Sequence, residues 1–137
     1  MHIRKSSVDE INLSRQGLTD YNEQKQPFIS DPVRLDYTAL DSDGNYIGGI
    51  IASIGYWGGL SIDILFVEEQ FRRTGIGKRL LSLVEDEGRK LGATVMLLDT
   101  FDFHAPDFYL NKGFEVYGEL KDFPSAGKCR FFMRKTL

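Results

Sequence analysis

A chain of 137 residues and 15.6 kDa has the size of one domain, and area scaling gives it a folded surface of roughly 7,000 Å², enough to bury a core without staples. Hydrophobic residues at 42% and charged residues at 27% exclude disorder, and a net charge of −3 excludes a general nucleic-acid coat. One cysteine (Cys129), two histidines and no apolar run near the ~20 residues of a membrane span point to a cytoplasmic protein without disulfide, metal or membrane partner.

Residues 7–21 scatter Val8, Ile11, Leu13, Leu18 and Tyr21 among polar positions, which predicts one or two short helices packed on one side. Val33 to Asp41 alternates as a half-buried strand, and Ser42-Asp43-Gly44-Asn45 turns it into a second strand over Tyr46 to Tyr56. After Trp57-Gly58-Gly59, the run Leu60 to Val67 reads as a third strand, buried on both faces except at Ser61 and Asp63. From Gly75 the apolar residues recur at three- and four-residue steps as far as Leu91, and Gly92 supplies a stop, so a long amphipathic helix is expected. Thr94 to Leu98 continues as a strand, and Pro106 opens a short helix that Gly113 ends. Phe114 to Leu120 and Cys129 to Lys135 are two further strands joined by the 122–127 turn. The fold class expected is α/β (α+β): one domain over residues 1–137, a mixed, largely antiparallel twisted sheet of six or seven strands, with helices on both faces.

Between the third strand and the long helix lies Arg72-Arg73-Thr74-Gly75-Ile76-Gly77-Lys78-Arg79, the one basic concentration in an acidic chain. Glycines at 75 and 77 clear the way for an anion to approach the backbone, where free N–H groups and the positive end of the helix dipole would meet a pyrophosphate. Arg79 stands where a Walker loop needs a hydroxyl, and the third glycine of a dinucleotide fingerprint is missing. A tight turn carrying solvated cations is the plainer alternative.

The loop Arg72-Arg73-Thr74-Gly75-Ile76-Gly77, followed one strand later by Ala105, Tyr109, Gly113 and Phe114, resembles the two signatures of the Gcn5-related N-acetyltransferases (GNAT). The resemblance covers the chain from about Val33 onward, and Asp102 stands where that family often has Asn. It implies the acyl-CoA N-acyltransferase fold and acetyl-CoA as acyl donor, bound by Leu65, Phe66 and Val67 along the pantetheine arm and by Arg72, Arg73, Thr74, Gly75, Ile76, Gly77 and Lys78 at the pyrophosphate. It also implies a strand splayed by a bulge near Phe66 and Val67, whose N–H groups would hold an oxyanion.

The acceptor implied is a primary amine, as a small molecule or a peptide. With a pKa of about 10.4 such an amine is neutral in only about 1 part in 2,500 at pH 7, so attack on a thioester needs a base or a water chain. Strand alternation sets Asp63 on the face of Leu65 and Val67, which makes it the candidate base, with His104 and water as competitors. Tyr109, at the position of the family's acid, is the candidate proton donor to the departing thiolate; anchoring its short helix beside Phe108 is the structural alternative. Tyr21, Phe28, Tyr56 and Trp57 could line an acceptor site or belong to the core. A non-catalytic acyl-CoA-binding or regulatory module, and a module for another nucleotide, are the competing functions. The acceptor and the oligomeric state, with a homodimer among the options, are not written in the sequence.

Overall fold

The computed structural model describes residues 1–137. Ser7 starts the first helix, α1 (Val8–Lys25), through a reciprocal cap: its hydroxyl accepts the Glu10 N–H, while the Glu10 carboxylate accepts the Ser7 N–H at 2.8 Å. A hydrogen-bonded ion pair with Arg4, and then the Ser7 N–H, hold the Glu10 carboxyl down at about 2. Yet no residue of α1 is buried. The expectation of helices packed on one side over 7–21 is therefore corrected to one 18-residue helix standing off the sheet. Its departure is fixed where the chain leaves it. The Gln26 carbonyl accepts the Trp57 Nε1–H at 3.0 Å, Phe28 stacks on Tyr56 at 3.9 Å, and Ile29 N–H donates to Tyr56 O at 2.9 Å.

The strand expected over 33–41 is two, β1 (Val33–Arg34) and β2 (Tyr37–Leu40). Asp36 divides them: its carboxylate accepts the Ala52 N–H at 3.0 Å and pairs with the Arg34 guanidinium at 2.8 Å, replacing a ladder bond. Next come β3 (Tyr46–Ile54), β4 (Gly59–Val67), α2 (Ile76–Lys90), β5 (Val95–Phe101), α3 (Pro106–Leu110), β6 (Glu115–Lys121) and β7 (Cys129–Thr136). The turns fall where the sequence places them, with Gly44 and Gly58 in the left-handed region at φ 82° and 80°. One seven-stranded sheet results, in the order β1-β3-β4-β5-β7-β6, with β2 beside β1 on the outer edge of β3. Every pairing is antiparallel except β4 with β5, and α2 supplies the crossover that a parallel pair requires.

Both later helices lie on one face of this sheet, not on two as the sequence suggests. Leu80, Leu81 and Val84 of α2 meet Ile50, Ala52, Ile54, Leu60, Ile62, Met96 and Met133, and α3 adds Phe108 and Tyr109 at the margin of the same core. The opposite face carries no helix. Pairing puts Ile51 and Ile64 there together, beside Phe66, and they are 38%, 52% and 41% exposed. The sequence-based view of β4 as buried on both faces is thereby corrected. No helix is long and apolar enough to cross a membrane.

α2 packs tightly on the sheet at Gly88, where an added Cβ would lie 2.6 Å from Leu60 Cδ2, and Leu60 has no exposed surface into which to retreat. Gly88→Val should lose about 1–3 kcal/mol through overpacking. Urea unfolding at constant m-value reads this directly, and an unchanged midpoint would contradict the contact.

Candidate functional site

The site begins where two strands part. β4 stays paired with β3 along its length to Val67, but its pairing with β5 covers only Gly59–Ser61 against Val95–Leu97. Beyond Ser61 and Leu97 the two parallel strands diverge, leaving one edge of β4 without a strand partner. Glu68 donates its N–H to Ile47 O of β3 at 2.9 Å, so by alternation Phe66 also faces β3, while the backbone groups of Leu65 and Val67 face the gap. Of the N–H groups expected near Phe66 and Val67, that of Phe66 is thus directed at β3, and that of Leu65 faces the gap instead.

A bulge does occur in β4, three residues earlier than expected. Ile51 pairs with Ile64 and Ala52 with Ile62, which leaves Asp63 as the extra residue. The slip reverses the alternation. Leu65 and Val67 share the face of Ile62 and the core, whereas Asp63 lies by Ser61 and Ile64 on the helix-free face, within the electrostatic reach of Arg34. The reading that set Asp63 on the face of Leu65 and Val67 is corrected. Its carboxylate is exposed and stands at the mouth of the splay.

At the end of β4, a 3-10 turn over Glu69–Phe71 leads into the basic loop. Arg72 is turned back onto the end of β4: its Nε–H donates to Val67 O at 2.8 Å, its guanidinium lies 5.7 Å from the Phe66 ring centroid, and its N–H donates to Glu69 O. Gly75 adopts φ 88° as the N-cap of α2 and brings no capping side chain. The first intrahelical bond runs from Arg79 N–H to Gly75 O. The N–H groups of Arg73, Thr74, Gly75, Ile76, Gly77 and Lys78 therefore meet no protein acceptor. Six consecutive free donors, at the positive end of a helix and beside Arg73, Lys78 and Arg79, fit an anion with several oxygens.

Two flanks of α2 differ. A Cβ on Gly77 would sit 3.7 Å from Phe108 Cζ and 3.8 Å from Val67 Cγ2, so the missing side chain keeps the corner between α2, α3 and β4 open. Lys78 and Arg79 instead line a groove of about 810 Å³ on the outer flank, against Ala39, Leu40 and Ile47.

Tyr109 sits on α3, edge-on to Phe108 and Phe114 at 5.1 and 5.8 Å, in partial contact with the core. Pro106 opens this helix at its first position, and Gly113 at φ 91° closes the turn that follows. Burial pushes the phenol above its ordinary value, so the group keeps its proton. His104 packs against Phe101 and Phe103, with Nδ1 3.5 Å from the Thr100 hydroxyl. Asp102 is exposed and donates its N–H to Cys129 O. Phe28, Tyr56 and Trp57 come together at the β3–β4 turn, at the opposite end of β4 from the basic loop, and Tyr21 does not join them.

Among six tyrosines, Tyr109 should ionise above the ordinary tyrosine range because desolvation opposes its phenolate. A group whose folded pKa is raised holds its proton in the native state after the unfolded chain has lost it. Stability from this source is thus intact below about pH 10 and falls as pH rises beyond. Ultraviolet difference titration of the chain and of Tyr109→Phe tests this, since the variant should lack a late-titrating phenol.

The chain matches the family model described as "Acetyltransferase (GNAT) family" over residues 7–114. It is 32% identical to the blasticidin-S acetyltransferase of Streptomyces morookaense over 124 residues, 82% of this chain and 90% of that one. An acetyltransferase of Agrobacterium fabrum is 34% identical over 91 residues, 66% of each chain. The crystal structure of an acetyltransferase from Bacillus cereus superposes with a TM-score of 0.92 at 29% identity, covering 100% of this chain and 98% of the other.

Proposed function

This chain belongs to the acetyltransferase (GNAT) family, and we propose that residues 1–137 act as one catalytic domain that passes the acetyl group of acetyl-CoA to a small-molecule primary amine within a ternary complex. The row of six free N–H groups from Arg73 to Lys78 carries the reading. It begins six residues beyond the opened edge of β4, so a donor can lay its pyrophosphate on the loop and its pantetheine amide along Leu65 and Val67. Arg72 acts differently from its neighbours: by clasping Val67 O it fixes the angle between strand and loop. The likeness to blasticidin-S acetyltransferase supports a small amine as acceptor.

The amine enters at the mouth of the splay between β4 and β5. There Asp63 attracts the ammonium form, and it or a water it holds takes the proton as nitrogen attacks the thioester carbon. Negative charge gathers on the carbonyl oxygen, for which the gap-facing N–H of Leu65 is the nearest kind of donor the strand offers. As the C–S bond breaks, the leaving thiolate takes a proton. Tyr109, kept neutral by burial, supplies it.

Release of free CoA in the presence of a panel of amines (blasticidin S, aminoglycosides, polyamines, peptide N-termini) tests the activity. Tight CoA binding with no release on any amine would instead assign a binding module. Gly75→Val forces a β-branched residue to φ 88°. Because space around that Cβ is open, the fold should persist while CoA affinity falls at least about tenfold by calorimetry; unchanged affinity would remove the loop from the donor site. Tyr109→Phe should lower kcat by about 10² to 10⁴ and shift acetyl-CoA affinity by less than a few-fold. Retention of more than about half of kcat, with chemistry rate-limiting, would return Tyr109 to a packing role.

A further inference from the structure

The accessible surface of the chain is 9660 Å², whereas a compact monomer of 15.6 kDa presents about 7,200 Å². About 2,400 Å² per chain is therefore surface that a closed domain of this mass would not show. It has two identifiable sources. One is α1, an 18-residue helix with no buried residue, which lacks the tertiary packing that gives most protein helices their stability. Val8, Ile11, Leu18 and Tyr21 fall within about 140° of arc on it at 3.6 residues per turn, and all four are exposed. The other is the helix-free face of the sheet around Ile51, Ile64 and Phe66. The two are complementary in kind and in length: α1 is roughly 27 Å long, and a nine-residue strand such as β4 roughly 30 Å.

The geometry points to a second copy of this chain as the occupant: we propose a homodimer in which each protomer lays its α1 across the helix-free sheet face of its partner. A second copy carries both halves of the contact, so a two-fold axis closes it with nothing left over. Doubling the excess gives about 4,800 Å², within the span of obligate homodimer interfaces. The helix is also aimed outward by structure, since Gln26, Phe28 and Ile29 are held against Tyr56 and Trp57. The same disposition extends to the Bacillus cereus structure. Residues 1–25 are close to a fifth of this chain, so a TM-score of 0.92 over 100% of it is out of reach unless those residues superpose as well.

Light scattering on the full chain at about 10 μM should return about 31 kDa, twice the 15.6 kDa of one chain. A mass of 15.6 kDa would overturn the proposal and leave α1 to another occupant. To locate the contact, a photoreactive amino acid replaces Leu18 in a mixture of ¹⁵N-labelled and unlabelled chains. Cross-links should join α1 of one isotope to β3 and β4 of the other; links confined to one isotope, or a dimer whose links avoid that face, overturn the exchange. Ile11→Asp with Leu18→Asp should raise the dimer dissociation constant at least tenfold. These readouts require no acetyl transfer, so they stand or fall apart from the catalytic reading.

Discussion

A strand with two neighbours that stop at different places governs this molecule. β3 accompanies β4 to Val67, whereas β5 leaves it after Ser61. β5 cannot follow the outer half of β4, because it is paired along its whole length with β7 from Val95 to Phe101. Asp63 adds the turn: a bulge increases the local right-handed twist, and this one comes two residues after the last β4–β5 pair. An edge in the middle of a sheet is costly when dry, since its N–H and C=O groups need partners. Here the loop supplies one, Arg72 Nε on Val67 O, and the rest stay available for an extended ligand.

The loop works by the same logic of unmet donors. In most helices a Ser, Thr, Asp or Asn at the N-cap satisfies an early N–H; α2 has Gly75 there and leaves all of them free. Its cations add a local field of the opposite sign to a chain of net charge −3, so an anion is drawn to one end of the sheet. Gly77 then keeps the inner corner open, at a place where Phe108 and Val67 already lie near van der Waals contact with an added Cβ.

How much of this is legible in the sequence depends on how local each feature is. The loop, α2, the Pro106 start of α3 and the glycine turns are set by neighbours in the chain, and the sequence places them within a residue or two. The face of Asp63 is not local. One inserted residue inverts alternation, and whether the extra residue falls at 63 or at 66 is decided by pairing with β3 across a turn. Asp36 hides in the same way, because a carboxylate that replaces a ladder bond reads as an ordinary outward residue of an alternating strand. Periodicity over 7–21 announces a helix with an apolar side, but pattern alone does not say which surface that side will meet.

A domain with helices on one face of its sheet closes only one of its two layers, and just 19 of 137 residues are buried. Its core rests on Leu60, Met96, Met133 and Val84, all without exposed surface, pressed between the sheet and α2. The second face presents Ile51, Ile64 and Phe66 to water and α1 packs on nothing within its own chain, so each lacks what the other has. When the cover comes from another copy, helix formation, assembly and closure of the second layer become one equilibrium. Ser7, Glu10 and Arg4 then have a defined part in it: they organise the first turn of α1 in advance and lessen the entropy lost when the helix docks.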